Sequence, residues 1–190
     1  MEISELYFKT ASEWRKWLHN NHSKTKAVYL IFYKVENKEA SMRWEEAVKV
    51  ALCFGWIDST VKSLGNGKRK QSFTPRNKKI VWSALNKRYI VELKSSNLMH
   101  QSGLEIIKIA KQNGSWTALD DVENEVIPKE LHTAFKNTPT AFDNYKNFAP
   151  SYRKGYLYWL NQAKREQTRK DRIEKIIEFC ENNIKSRDSR

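Results

Sequence analysis

Trp56-Ile-Asp-Ser-Thr-Val-Lys62, Leu64-Gly-Asn-Gly67 and Arg69-Lys-Gln-Ser-Phe-Thr74 follow one another almost without a break and stop at Pro75. Two runs alternate between apolar and polar residues, and a Gly-Asn-Gly turn lies between them. The pattern predicts a β-hairpin. Pro75 ends its second arm because proline cannot donate to a ladder. A turn centred near Asn66 pairs positions that sum to about 132. In that register Ile57, Val61 and Phe73 share a core-facing side. The other side gathers Trp56, Asp58, Thr60 and Lys62 from the first arm. From the second it gathers Lys70, Ser72, Thr74 and Arg76. Arg76 then lies across from Trp56, where stacking contributes ~0.5–1 kcal/mol. Asp58 lies opposite Thr74, with Arg76 and Lys62 on its diagonals.

The flanking segments supply what this hairpin packs against. Ser12 is placed to cap a first helix with Trp14, Trp17 and Leu18 on one stripe. Residues 27–34 read as a strand apolar on both faces. Ser41 starts a second helix with Trp44, Ala47, Val48, Ala51 and Leu52 on one face, and Phe54-Gly55 ends it. From Ser83 onward the period is helical, over 83–95, 103–113, 129–137, 139–147, 151–164 and 168–184. Thr138-Pro139 and Ala149-Pro150 mark two of the starts. The fold class expected is α+β: a small antiparallel sheet with a β-hairpin packed on helices, followed by a helical C-terminal lobe. The lobes are expected at 1–95 and 96–185, with a frayed tail at 186–190. The core of the second lobe is expected to include Phe142, Tyr145, Tyr156, Trp159, Ile173 and Ile177.

Composition excludes several classes. The longest uncharged apolar run, Ala27 to Tyr33, is far shorter than the ~20 residues a membrane helix needs. Met1-Glu-Ile-Ser-Glu5 has neither the basic nor the apolar region of a signal peptide. Cys53 and Cys180 sit on apolar stripes without CxxC spacing, so they read as reduced core thiols of a cytoplasmic protein. His19 and His22 are not followed by a zinc motif, and no metal or cofactor site is expected. No nucleophile-elbow, P-loop or dinucleotide-binding motif occurs.

The net charge is +13, and it is unevenly spread. Residues 60–94 carry ten basic groups against Glu92, and residues 146–190 carry twelve against six. Such a field attracts anions, whether nucleic acid, phosphorylated metabolites or lipid headgroups. The candidate anion site comprises Trp56, Asp58, Lys62, Lys70, Arg76, Trp82, Ser83 and Asn86. Arg offers a planar fork for phosphate or carboxylate, and a neighbouring acid can hold that fork in place. Trp82, Ser83 and Asn86 open a helix whose N-terminal N–H groups favour negative charge. The competing reading is an internal clasp, in which Asp58 merely fixes Arg76 or Lys62.

The run Ala51-Leu-Cys-Phe-Gly-Trp-Ile-Asp-Ser59, with Ser72-Phe-Thr-Pro-Arg76 and Trp82-Ser-Ala-Leu-Asn86, resembles the YdeI/OmpD-associated, or bacteriocin-protection, family. The resemblance extends through Ser102-Gly-Leu104 and Gly114-Ser-Trp116 to Ala163-Lys-Arg-Glu-Gln-Thr-Arg169. Ser72 stands where the family often has Arg, so one expected cation is missing. The resemblance implies a role in stress or bacteriocin tolerance and supplies no catalytic residues. Three functions remain open. One is a non-enzymatic anion-binding protein. The second is a small-ligand binder or enzyme with a pocket at the hairpin–helix junction. The third is a nucleic-acid binder using residues 60–94 and the last helix.

Overall fold

The computed structural model describes residues 3–187. Its contacts divide the chain between Thr117 and Ala118 into two compact units. The sequence reading placed the break after Ser95, ahead of the helix Gln101–Gln112. That helix packs within the first unit, because Gly103 seats its backbone directly on the carbonyl of Cys53.

The first unit runs β1 (Glu5–Tyr7), α1 (Ala11–Asn21), β2 (Val28–Tyr33), α2 (Trp44–Cys53), β3 (Trp56–Gly65), β4 (Lys68–Pro75), α3 (Ala84–Ser95) and α4 (Gln101–Gln112). The sheet order is β1-β2-β4-β3. Only part of it is antiparallel: β1 lies parallel to β2 across the α1 crossover, while β4 is antiparallel to both its neighbours. Thr10 rather than Ser12 caps α1, in a reciprocal pair with Glu13 that leaves Ser12 inside the first turn. Gly55, at φ +74°, takes the chain out of α2. One face of the sheet packs Val28, Leu30, Phe32 and Phe73 against Trp14, Leu18, Ala51 and Leu52.

The second unit runs α5 (Asp120–Glu123), α6 (Lys129–Asn137), α7 (Pro139–Asn147), α8 (Pro150–Asn161) and α9 (Glu166–Glu181). Leu131, Phe135, Ala141, Leu160, Ile176 and Cys180 are its most enclosed apolar side chains among the described residues. Tyr145 and Tyr156 are buried as expected, whereas Phe142, Trp159, Ile173 and Ile177 pack at the margin of this core. Among the described residues no helix is long and apolar enough to cross a membrane.

Candidate functional site

The hairpin turns at Asn66 and Gly67, both at positive φ (48° and 68°), the twist that a two-residue hairpin loop requires. Beyond the turn the expected register holds: Lys62 pairs with Lys70 and Ser63 with Arg69. A bulge between Asp58 and Val61 shifts the base of the hairpin by one residue. Trp56 therefore opposes Pro75, and Asp58 opposes Phe73. Paired residues share a face, so Trp56 and Asp58 lie on the core side with Phe73. Lys62, Lys70, Ser72 and Thr74 lie on the other side. The hairpin residues expected on one face are thus divided between two.

Each half is held by its own contacts. Trp56 is 1% exposed and donates from Nε1 to the carbonyl of His22. Asp58 accepts from Trp44 Nε1 at 2.9 Å and from Gln71 Nε2. On the opposite face Lys70 bonds the carboxylate of Glu5 and sits 4.7 Å from the ring centre of Tyr29. Lys62 is exposed beside it.

Arg76 meets Trp82, and Ser83 meets Asn86 at the start of the next helix. The Arg76 guanidinium lies 3.9 Å from the Trp82 ring centre and donates from Nη2 to the Val81 carbonyl at 2.6 Å. Ser83 caps α3 by accepting from Asn86 N–H. Arg76 is only 4% exposed, and among the described residues its Nε and Nη1 have no hydrogen-bond partner. Burial pulls its pKa down to about 10 while the charge of Asp58 holds it up, so it stays protonated at neutral pH. A buried cation of this kind is out of reach of a bulky anion. Its contacts join the end of β4 to the start of α3.

The open site lies farther along the hairpin. A cleft of about 580 Å³ separates the distal part of β3 and β4 from the segment between β2 and α2. Its floor is apolar, made of Phe32, Met42, Trp44 and Val61. Lys34, Arg43, Lys68 and Arg69 ring it, against one acid, Glu36. Among the described residues none of these four cations is paired with a carboxylate. Most other basic side chains with a described ionic contact, such as Lys49, Arg153, Arg169 and Lys170, are neutralised by Glu.

Local contacts fix the cleft walls. Lys34 N–H donates to the Gly67 carbonyl at 2.8 Å, and Asn37 Nδ2 donates to the Asn66 carbonyl. A Cβ on Gly67 would come 2.7 Å from Asn37 Oδ1, so this strap needs glycine there. The bond from Trp44 Nε1 to Asp58 turns the indole and occupies the carboxylate, which does not line the cleft. The sequence alone did not reveal this site. Its only trace is the cluster of cations at 34, 43, 68 and 69 beside Met42 and Trp44.

Three histidines form a separate group. The His100 ring lies 4.9 Å from His22, 6.1 Å from His19 and 4.8 Å from Phe54. Its Nδ1 accepts from Ser102 N–H and so caps α4. Burial, then the neighbouring His22, His19 and Arg15, lower its pKa. Among the described residues no set of three His, Cys, Asp or Glu side chains is arranged to hold a metal ion.

Residues 6–106 match a family model described as a domain of unknown function (DUF8412). Residues 125–183 match the model described as Bacteriocin-protection, YdeI or OmpD-Associated. The second match carries the resemblance read from the sequence, while the motifs around Trp56 and Arg76 fall within the first. No curated protein and no solved structure matches the chain.

Proposed function

From a chain that belongs to the DUF8412 family over residues 6–106, and that carries a YdeI or OmpD-associated domain over 125–183, we propose a non-enzymatic anion-binding protein acting in stress or bacteriocin tolerance. The observation that carries the reading is the set of four cations at the hairpin cleft, none of them in a salt bridge among the described residues. Clustered like charges destabilise a fold by repulsion, and a bound anion relieves it. The description of the second family supports the tolerance role. The free, buried thiols of Cys53 and Cys180 suit a reducing compartment, which supports the cytoplasm as the place of action.

A clustered basic face on the last helix would favour nucleic acid. In α9, however, Arg169, Lys170 and Lys175 are engaged by Glu130, Glu166 and Glu178. The cleft is therefore where an anion gains most.

The test is calorimetric titration of inorganic phosphate and of a short oligonucleotide at low and at raised salt. The expected result is saturable phosphate binding that weakens with salt. The double variant Arg43→Ala/Arg69→Ala should lose about tenfold or more in affinity, as expected when charge-assisted bonds of ~1.5–3 kcal/mol are removed. Affinity unchanged in that variant would overturn the assignment. Tight oligonucleotide binding with no phosphate binding would instead favour a nucleic-acid partner.

A further inference from the structure

The cleft carries two chemistries at once, and both constrain what it takes. Its rim would suit any anion. Its floor would not: over the buried Phe32 and Met42, the half-buried Trp44 and the exposed Val61 present apolar surface that a fully hydrated anion leaves wet. Val61 is 50% exposed, an apolar side chain held open to solvent inside a basic rim. Phe32 and Arg69 reinforce the arrangement, since the guanidinium lies 5.6 Å from the ring centre and is presented at the cleft edge. Trp44 Nε1 donates to Asp58 at 2.9 Å, which fixes the indole in the floor. About 580 Å³ is the size range of sites for small organic ligands, which combine a largely apolar lining with a few placed polar groups.

Resting on the anion-binding reading above, we infer that the cleft takes an amphiphilic anion, an acidic head group on an apolar or aromatic body. The head group meets Arg43 and Arg69, with Lys34 and Lys68 beside them. The body lies on the floor against Trp44 and Val61. Glu36, the one acid of the lining, disfavours a second anionic group on the same ligand.

The test compares two probes on the intact chain: 8-anilinonaphthalene-1-sulfonate, an aromatic sulfonate, and inorganic phosphate. Two exposed positions are varied, Val61→Ser and Arg69→Ala. The sulfonate should bind one to one and at least tenfold more tightly than phosphate, the factor that about 1.4 kcal/mol of apolar burial supplies. Val61→Ser should weaken the sulfonate about threefold or more and leave phosphate unchanged. Arg69→Ala should weaken both. Equal affinity for the two probes, with Val61→Ser silent, would overturn the amphiphilic class while leaving anion binding in place. Failure of both probes to bind would overturn both readings. Sulfonate binding that neither variant alters would place the probe outside the cleft and overturn the inference.

Discussion

The Arg76 guanidinium lies over the Trp82 ring, 3.9 Å from its centre, and the same side chain donates to the Val81 carbonyl. The pair joins the end of β4 to the start of α3. Arg76→Ala should destabilise the first unit by about 2–4 kcal/mol, combining a desolvated stack with a charge-assisted bond. Arg76→Lys should recover little, because an ammonium lacks the planar fork. Chemical denaturation checks both. Phosphate affinity of the folded Arg76→Lys protein should equal that of the parent.

Gly103→Ala should be among the most damaging small changes. An added Cβ would stand 2.2 Å from the Cys53 carbonyl oxygen. That carbonyl can swing aside only by giving up the bond it accepts from His100 N–H at 3.1 Å. Overpacking of this kind costs about 1–3 kcal/mol, and more where backbone must move. A lowered denaturation midpoint is expected, and an unchanged one would show that α4 is not seated on α2.

Acid should weaken the first unit through His100. An unfolded histidine titrates near 6.5, and the folded pKa lies below that. Between those values the unfolded chain binds more protons, so stability is complete above pH ~6.5 and falls as pH drops through it. Protonation also ends the acceptor role of Nδ1 toward Ser102 N–H. His100→Asn keeps a capping oxygen without the titration. Thermal melts across the acid range should show a shallower pH slope in that variant.

In the second unit the boundary between core and margin predicts a contrast. Leu160 is fully enclosed, whereas Trp159 is half-buried, with Arg172 at 5.2 Å and Arg187 at 5.5 Å from its ring centre. Leu160→Ala should cost about 2–5 kcal/mol, and Trp159→Ala less despite the larger side chain. Equal losses in thermal or chemical denaturation would contradict this division.

How far the sequence could be read follows from range. The Gly-Asn-Gly turn and the pairing of Lys62 with Lys70 are local consequences of alternation around Asn66, and both are found. The bulge after Asp58 is not written in that alternation, and it moves Trp56 and Asp58 to the core face. β1 has three residues, too few to show a period. The placement of α4 depends on Gly103 meeting Cys53, a contact between residues distant in the chain. The cleft escapes notice for the same reason, because it exists only once Asn37 straps its loop to the hairpin turn. Buried Cys53 and Cys180, by contrast, follow from their apolar stripes.

Amide and indole resonances followed by NMR during a phosphate titration test the central claim most directly. Lys34, Arg43, Lys68, Arg69 and the Trp44 indole N–H are expected to shift together along one saturation curve, while Trp82 to Asn86 stay in place. Shifts centred on the start of α3 or on α9, or no saturable shift at the cleft, would contradict it.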